Sequence, residues 1–166
     1  MNSTIKKIFI FIGLVLLQSL VLNNVNVSGL INPYIFPLFI LLLPFDTKGW
    51  DLLFTAFFLG LTIDLFNGTM GMQTFATVFM AYLRPLFLRS FQPKSDKYNY
   101  PNLKENGFGW LLFYFLSLTF IHHFTYFLVE IGSLNNFSHT MALSFFSTLV
   151  SVFIMFLLLY TFNTKK

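Results

Sequence analysis

Long apolar runs without a single basic residue are the strongest constraint on what this chain can fold into. Its ten Lys and Arg residues gather in four places: Lys6 and Lys7; Lys48; Arg84, Arg89, Lys94, Lys97 and Lys104; and Lys165 with Lys166. Carrying a cation through hydrocarbon is costly, so Lys and Arg in short loops mark the cytoplasmic face of a membrane. All four groups reach one face only if the chain crosses an even number of times between them. The expectation is an all-α, polytopic membrane helix bundle with both termini in the cytoplasm.

Composition agrees with that solvent. Of the 166 residues, 56% are hydrophobic and only 10% charged, against about 25% charged in soluble domains, and the mean hydropathy is +0.73. The net charge of +4 does not indicate nucleic acid, because the basic residues flank apolar runs instead of forming a phosphate-binding stripe. Their natural counterpart is an anionic lipid surface. Cysteine is absent, which excludes disulfides, thiolate nucleophiles and Cys-based metal sites. Lys6 and Lys7 precede the apolar run Ile8 to Leu22, a pattern shared by signal peptides and first spans. The Asn-rich continuation lacks a clean cleavage motif, so an uncleaved first helix is expected.

Crossing about 30 Å of hydrocarbon takes about 20 helical residues. The apolar stretches predict a single integral membrane domain of about six spans, near 5–25, 31–45, 50–67, 70–91, 108–131 and 139–162. The second is short and carries Pro33, Pro37 and Pro44, so it is expected to be tilted, kinked or partly re-entrant. A shallow hairpin of the first two segments would leave four crossings and the same charge parity. Trp50 and Trp110 open the third and fifth spans, where indole rings favour the headgroup layer. The outer loops near 23–30, 67–69 and 132–138 are short. The longest connection, the cytoplasmic loop 92–107, reads as a linker or docking loop.

Polar side chains share faces within three spans. In the fifth, Thr119, His122, His123, Tyr126, Glu130 and Ser133 fall within an arc of about 100°. In the fourth, Gln73, Thr77 and Arg84 align, and in the third Asp64 shares a side with Gly60, Gly68 and Gly71. An ionised Asp facing lipid at mid-depth costs about 3 kcal/mol on insertion scales, so these stripes should face neighbouring helices or a partner. The bland reading of His122 and His123 is interhelical hydrogen bonding. Adjacent His residues point about 100° apart on a helix, which is a poor start for a metal site. A proton relay through Asp64, His123 and Glu130 is the sharper alternative. Arg84 either snorkels to cytoplasmic phosphates or bonds lipid or backbone. Gly60, Gly68 and Gly71 permit close helix approach. No Gly-x-Ser-x-Gly, His-Glu-x-x-His or Gly-rich phosphate loop occurs, so neither catalytic residues nor a cofactor are expected.

Several segments, in order, resemble the rod shape-determining protein MreD family of bacteria. They are Asn32-Pro33, Leu59-Gly60-Leu61-Thr62-Ile63-Asp64, Gly71-Met72, Ala76-Thr77-Val78, Tyr82-Leu83-Arg84-Pro85, His122-His123 and Leu128-Val129-Glu130. The resemblance implies a multi-pass protein of the bacterial inner (plasma) membrane that acts as a non-enzymatic scaffold in cell-wall elongation. It implies association with a membrane-anchored MreC-like protein and, through it, with peptidoglycan synthases and indirectly MreB-type filaments. It also implies a helix arrangement similar to the substrate-binding subunits of energy-coupling transporters. Gly60, Asp64, Gly71, Arg84, Pro85, His122, His123, Tyr126 and Glu130 are then candidates for structural or partner contact, and self-association into a homo-oligomer stays open. The competing reading is a membrane subunit of a small-molecule transporter, and a third is a proton-coupled carrier using Asp64 and Glu130.

Overall fold

The computed structural model describes residues 3–24, 31–91, 99–132 and 137–163. Helices dominate, and the described residues contain no strand. Four are long: α3 (Gly49–Asn67), α4 (Met72–Ser90), α6 (Phe108–Ile131) and α7 (Phe137–Asn163). A shorter α1 (Ser3–Leu16) leads them, and two four-residue helices, α2 (Leu38–Leu41) and α5 (Leu103–Asn106), punctuate the connections. Three helices, α3, α6 and α7, are long and apolar enough to cross a membrane. Residues Ser133 to Asn136, Gln92 to Lys97 and Lys165 and Lys166, all assigned roles above, lie outside the described residues.

Specific contacts give the direction of each piece. Thr77 meets His122 and Arg84 meets Tyr114, so α4 and α6 run antiparallel. Thr119 reaches Met155 and His123 reaches Ser151, so α6 and α7 do the same. α3 and α4 form a tight hairpin. One end of the bundle therefore carries Lys48, Arg89 and Trp110, and the other carries Asp64 and Glu130. These are called the basic and the acidic end below.

The stretch 31–45, expected from its prolines to be tilted, kinked or partly re-entrant, is broken to an extent the sequence left open. Only Leu38–Leu41 is helical. Yet this segment is the centre of the core: Ile35, Phe36, Ile40 and Leu41 are 0% exposed. It runs antiparallel to α6, with Tyr34 beside Tyr126, Phe36 beside His122 and Phe45 beside Trp110. Pro33, Pro37 and Pro44 explain the broken helix, since each removes a backbone donor and restricts the residue before it. Such a backbone is stable in an apolar interior only if protein groups satisfy it.

The first segment also differs from a uniform helix over 5–25. After Leu16 the winding widens into a π-helical turn, Leu17–Val21, and then a 3-10 turn, Leu22–Asn24. Widened turns of this type occur where a helix must aim a particular side chain. Here the side chain is Gln18, fully buried against residues 33–35.

The outward surface is largely aromatic and aliphatic. Phe54, Phe58, Phe75, Phe145 and Phe153 all stand exposed along the long helices. A surface of that kind belongs against lipid or partner helices.

Candidate functional site

The broken segment 31–45 organises most of the buried polar groups. At its start, the Asn32 N–H donates to Ser147 Oγ at 3.0 Å and the Tyr34 N–H to Ser151 Oγ at 2.9 Å. The Gln18 amide then imitates a neighbouring strand. Its Nε2 donates to the Pro33 carbonyl at 3.1 Å, while its Oε1 accepts the Ile35 N–H at 2.8 Å. Near the basic end, the Tyr114 hydroxyl donates to the Leu41 carbonyl at 3.1 Å. Arg84 completes the set through Nη2, which donates to Leu43 O at 2.5 Å, and through both Nη atoms, which reach Pro44 O at 3.2–3.3 Å. Its Nε donates to Tyr114 Oη at 2.7 Å.

Arg84 therefore does not snorkel. It is 1% exposed, and of the two alternatives read from the sequence the backbone contact is the one formed. A guanidinium suits this place because its planar fork serves two carbonyls and a phenol at once. Those carbonyls also follow α2, where the negative end of the peptide dipoles favours a cation. Pro85 follows Arg84 inside α4. It has no N–H to return to the carbonyl four residues earlier, and the helix continues through it to Ser90.

Asp64 holds the acidic end. One carboxylate oxygen accepts the Thr69 hydroxyl and the Gln73 N–H at 3.0 Å; the other accepts the Thr74 N–H at 2.8 Å and its hydroxyl at 2.5 Å. Gln73 and Thr74 open α4, where N–H groups have no helical partner. The carboxylate thus caps the next helix and stands at the positive end of its dipole. The turn between the helices uses left-handed backbone at Gly68, Met70 and Gly71, with φ of 68°, 48° and 88°. At Gly60 the requirement is space: an added Cβ would lie 2.5 Å from the Thr74 Cα. Asp64→Asn should cost about 1–3 kcal/mol, because an amide offers one acceptor oxygen where the cap uses two. The check is a thermal melt in detergent, and an unchanged Tm would reject the capping role.

The two histidines are wired differently. His123 Nδ1 bonds the Thr119 carbonyl at 2.9 Å, which fixes the proton there, so Nε2 accepts from Ser151 Oγ at 3.2 Å. His122 Nε2 lies 3.3 Å from Thr77 Oγ1. Both imidazoles are 0% exposed. Tyr126 donates to Glu130 Oε1 at 2.9 Å, and Glu130 itself is exposed at the acidic end. Among the described residues no hydrogen bond joins Asp64, His123 and Glu130 into the relay considered from sequence. Nor do three or more His, Asp or Glu side chains among them converge as a metal ion requires.

Sequence reasoning named Arg84, Asp64 and the histidines but missed Gln18, Tyr34, Tyr114 and the hydroxyl stripe of α7. That stripe, Thr140, Ser144, Ser147, Thr148 and Ser151, is wholly buried. Its signal was present as small hydroxyl residues recurring every three or four positions in an otherwise apolar helix. Gln18 was equally visible as a strongly polar residue within an apolar run. What these groups bond to was not visible, since their partners include backbone atoms of a segment whose local shape the prolines leave open.

No protein-family model matches this chain, and comparison with curated proteins and with solved structures likewise gives no match.

Proposed function

We propose that the chain is a non-catalytic, multi-pass scaffold of the bacterial inner membrane that serves the cell-wall elongation machinery in the manner of the MreD family. In this reading the basic end faces the cytoplasm, both termini lie there, and α1, the broken segment and the four long helices make six crossings. The scaffold associates with an MreC-like anchored protein and through it with peptidoglycan synthases and, indirectly, MreB-type filaments. Lys48 and Arg89 sit beside anionic headgroups at the inner leaflet.

The observation that carries this reading is where the ionisable groups are spent. Asp64 caps a helix, and Arg84 and His123 secure the broken segment and its neighbours. Reactive centres need poised groups with open valences around a substrate space. A scaffold needs rigid helices and apolar faces for other membrane helices, and the exposed Phe-rich surface supplies them. Affinity purification in mild detergent at native expression should recover an MreC-like partner, and depletion should turn rods into spheres. Consistent failure to recover such a partner, with cell width unchanged on depletion, defeats the proposal.

A second reading, a small-molecule transporter subunit, draws on one specific observation. Buried polar atoms at the acidic end are left without partners.

A further inference from the structure

The outward surface of α3 and α4 is not evenly filled. On one side of this hairpin an open cleft of about 210 Å³ is lined by Trp50, Leu53, Phe54 and Phe57 of α3 and by Val78 of α4. The cleft exists because Val78 is short, while the bulkier Phe75, Phe79 and Tyr82 stand about 40–100° further round α4. On the α3 side, the rings of Trp50 and Phe54 lie 6.4 Å apart and share the wall. None of the lining side chains is charged.

The dimensions select the occupant. From Trp50 to Phe57 is about 10 Å along α3, so the cleft is long and narrow. One turn of a partner helix, about 5 Å long and about 10 Å across, fills about 400 Å³, nearly twice the space. Membrane helices that approach closely also meet at small residues, and the lining offers none. A slender, flexible hydrocarbon chain does fit.

Charge at the mouth adds a headgroup. Gly60 packs on Thr74, so Trp50 is level with Arg84 on the antiparallel α4, and Arg89 lies about one turn beyond. Arg89 follows Val78 by three helical turns and therefore shares its face of α4. Lys48 stands at the N-cap of α3, next to the mouth. Both cations are exposed. Of the nearby acids, Asp51 lies about 100° round α3 from Trp50, on the side away from Phe57, and the Asp46 N–H is tied to Asn99. Trp50 is 76% exposed, as an indole at the headgroup layer is. We propose that the cleft seats one acyl chain of an anionic glycerophospholipid, with its headgroup against Lys48 and Arg89. This site takes from the proposed function the placing of the basic end at a headgroup layer. A cation near the membrane surface favours an anionic headgroup about fivefold. Two cations, offset in part by Asp46 and Asp51, should give about tenfold selection over a zwitterionic lipid.

The test uses the full chain in phosphatidylcholine vesicles and reads the quenching of Trp50 fluorescence by lipids brominated on the acyl chain. Trp110, the other tryptophan, is replaced by Phe, which keeps an aromatic ring on Tyr114. Brominated phosphatidylglycerol should bind about tenfold more strongly than brominated phosphatidylcholine. Lys48→Gln combined with Arg89→Gln should bring that ratio to about one. Val78→Phe, which fills the cleft from a half-buried position, should also remove the preference while leaving Tm unchanged. Mass spectrometry of the unsubstituted chain from mixed-lipid micelles should show phosphatidylglycerol retained over phosphatidylcholine. Equal binding of the two lipids overturns the site, and so does a preference that survives either set of substitutions. Quenching by neither lipid means that a second copy of the chain covers Trp50, which overturns it as well. Partner recovery and cell width play no part in this measurement, so failure of the lipid site and failure of the scaffold reading are told apart.

Discussion

Replacing Arg84 by Met should destabilise the bundle by about 3–5 kcal/mol, the cost of leaving Leu43 O and the Tyr114 oxygen buried without their donor. In a chain of this size that is a fall in Tm of about 10 °C. The substitution keeps most of the aliphatic volume, so cavity formation contributes little. What it removes is the fork that serves Leu43 O, Pro44 O and Tyr114 Oη. Pro44 O keeps the Thr47 N–H at 3.3 Å and the Thr47 hydroxyl at 2.7 Å, so the loss falls on Leu43 O and on the Tyr114 oxygen. Arg84→Lys should recover less than half of the loss, because an ammonium cannot span the same acceptors in one plane. Detergent melts of the two variants decide the matter. A fully stable Arg84→Lys protein would mean that charge alone is needed there, as for a headgroup contact, and would reject the backbone role.

The second large effect is expected at Gly60. An alanine methyl would meet Thr74 Cα at 2.5 Å, Thr74 N at 2.9 Å and the Gln73 carbonyl at 3.1 Å. Backbone atoms of a helix cannot turn away as a side chain can, so α3 and α4 must separate. Overpacking costs about 1–3 kcal/mol, and separation also pulls the Asp64 carboxylate away from the N–H groups of Gln73 and Thr74, adding about 1 kcal/mol for the lost cap. A total of about 3 kcal/mol is expected. Gly13 and Gly109 supply the controls, since a Cβ at either would have nothing within 4 Å. Gly13→Ala and Gly109→Ala should be neutral or slightly stabilising, by up to about 1 kcal/mol from helix propensity. Equal behaviour of all three variants would show that close approach at Gly60 is not required.

Gly60 and Asp64 illustrate how one sequence pattern can carry a correct partial meaning. Their spacing puts both on the side of α3 that faces α4, and small residues there allow contact. The pattern did not disclose that the carboxylate caps the following helix, because that depends on a turn with three left-handed residues bringing the two helix ends together. The same holds for His122 and His123. Adjacent imidazoles on one helix point in different directions, so one meets α4 through Thr77 and the other meets α7 through Ser151. The tautomer of His123 follows from the Thr119 carbonyl at Nδ1, and that of His122 from Thr77, whose hydroxyl proton goes to the Gln73 carbonyl.

The apolar runs, their lengths and the placement of Lys and Arg were enough to determine an all-helical chain with apolar outer faces, because hydrophobic periodicity and charge position are local properties. Tertiary structure alone decided the fate of residues 31–45. Three prolines forbid a regular helix there, and local sequence cannot say whether such a stretch lies at the surface or in the core. It sits in the core because Gln18, Arg84, Tyr114, Ser147 and Ser151, distant in sequence, supply the hydrogen bonds that its own backbone cannot make.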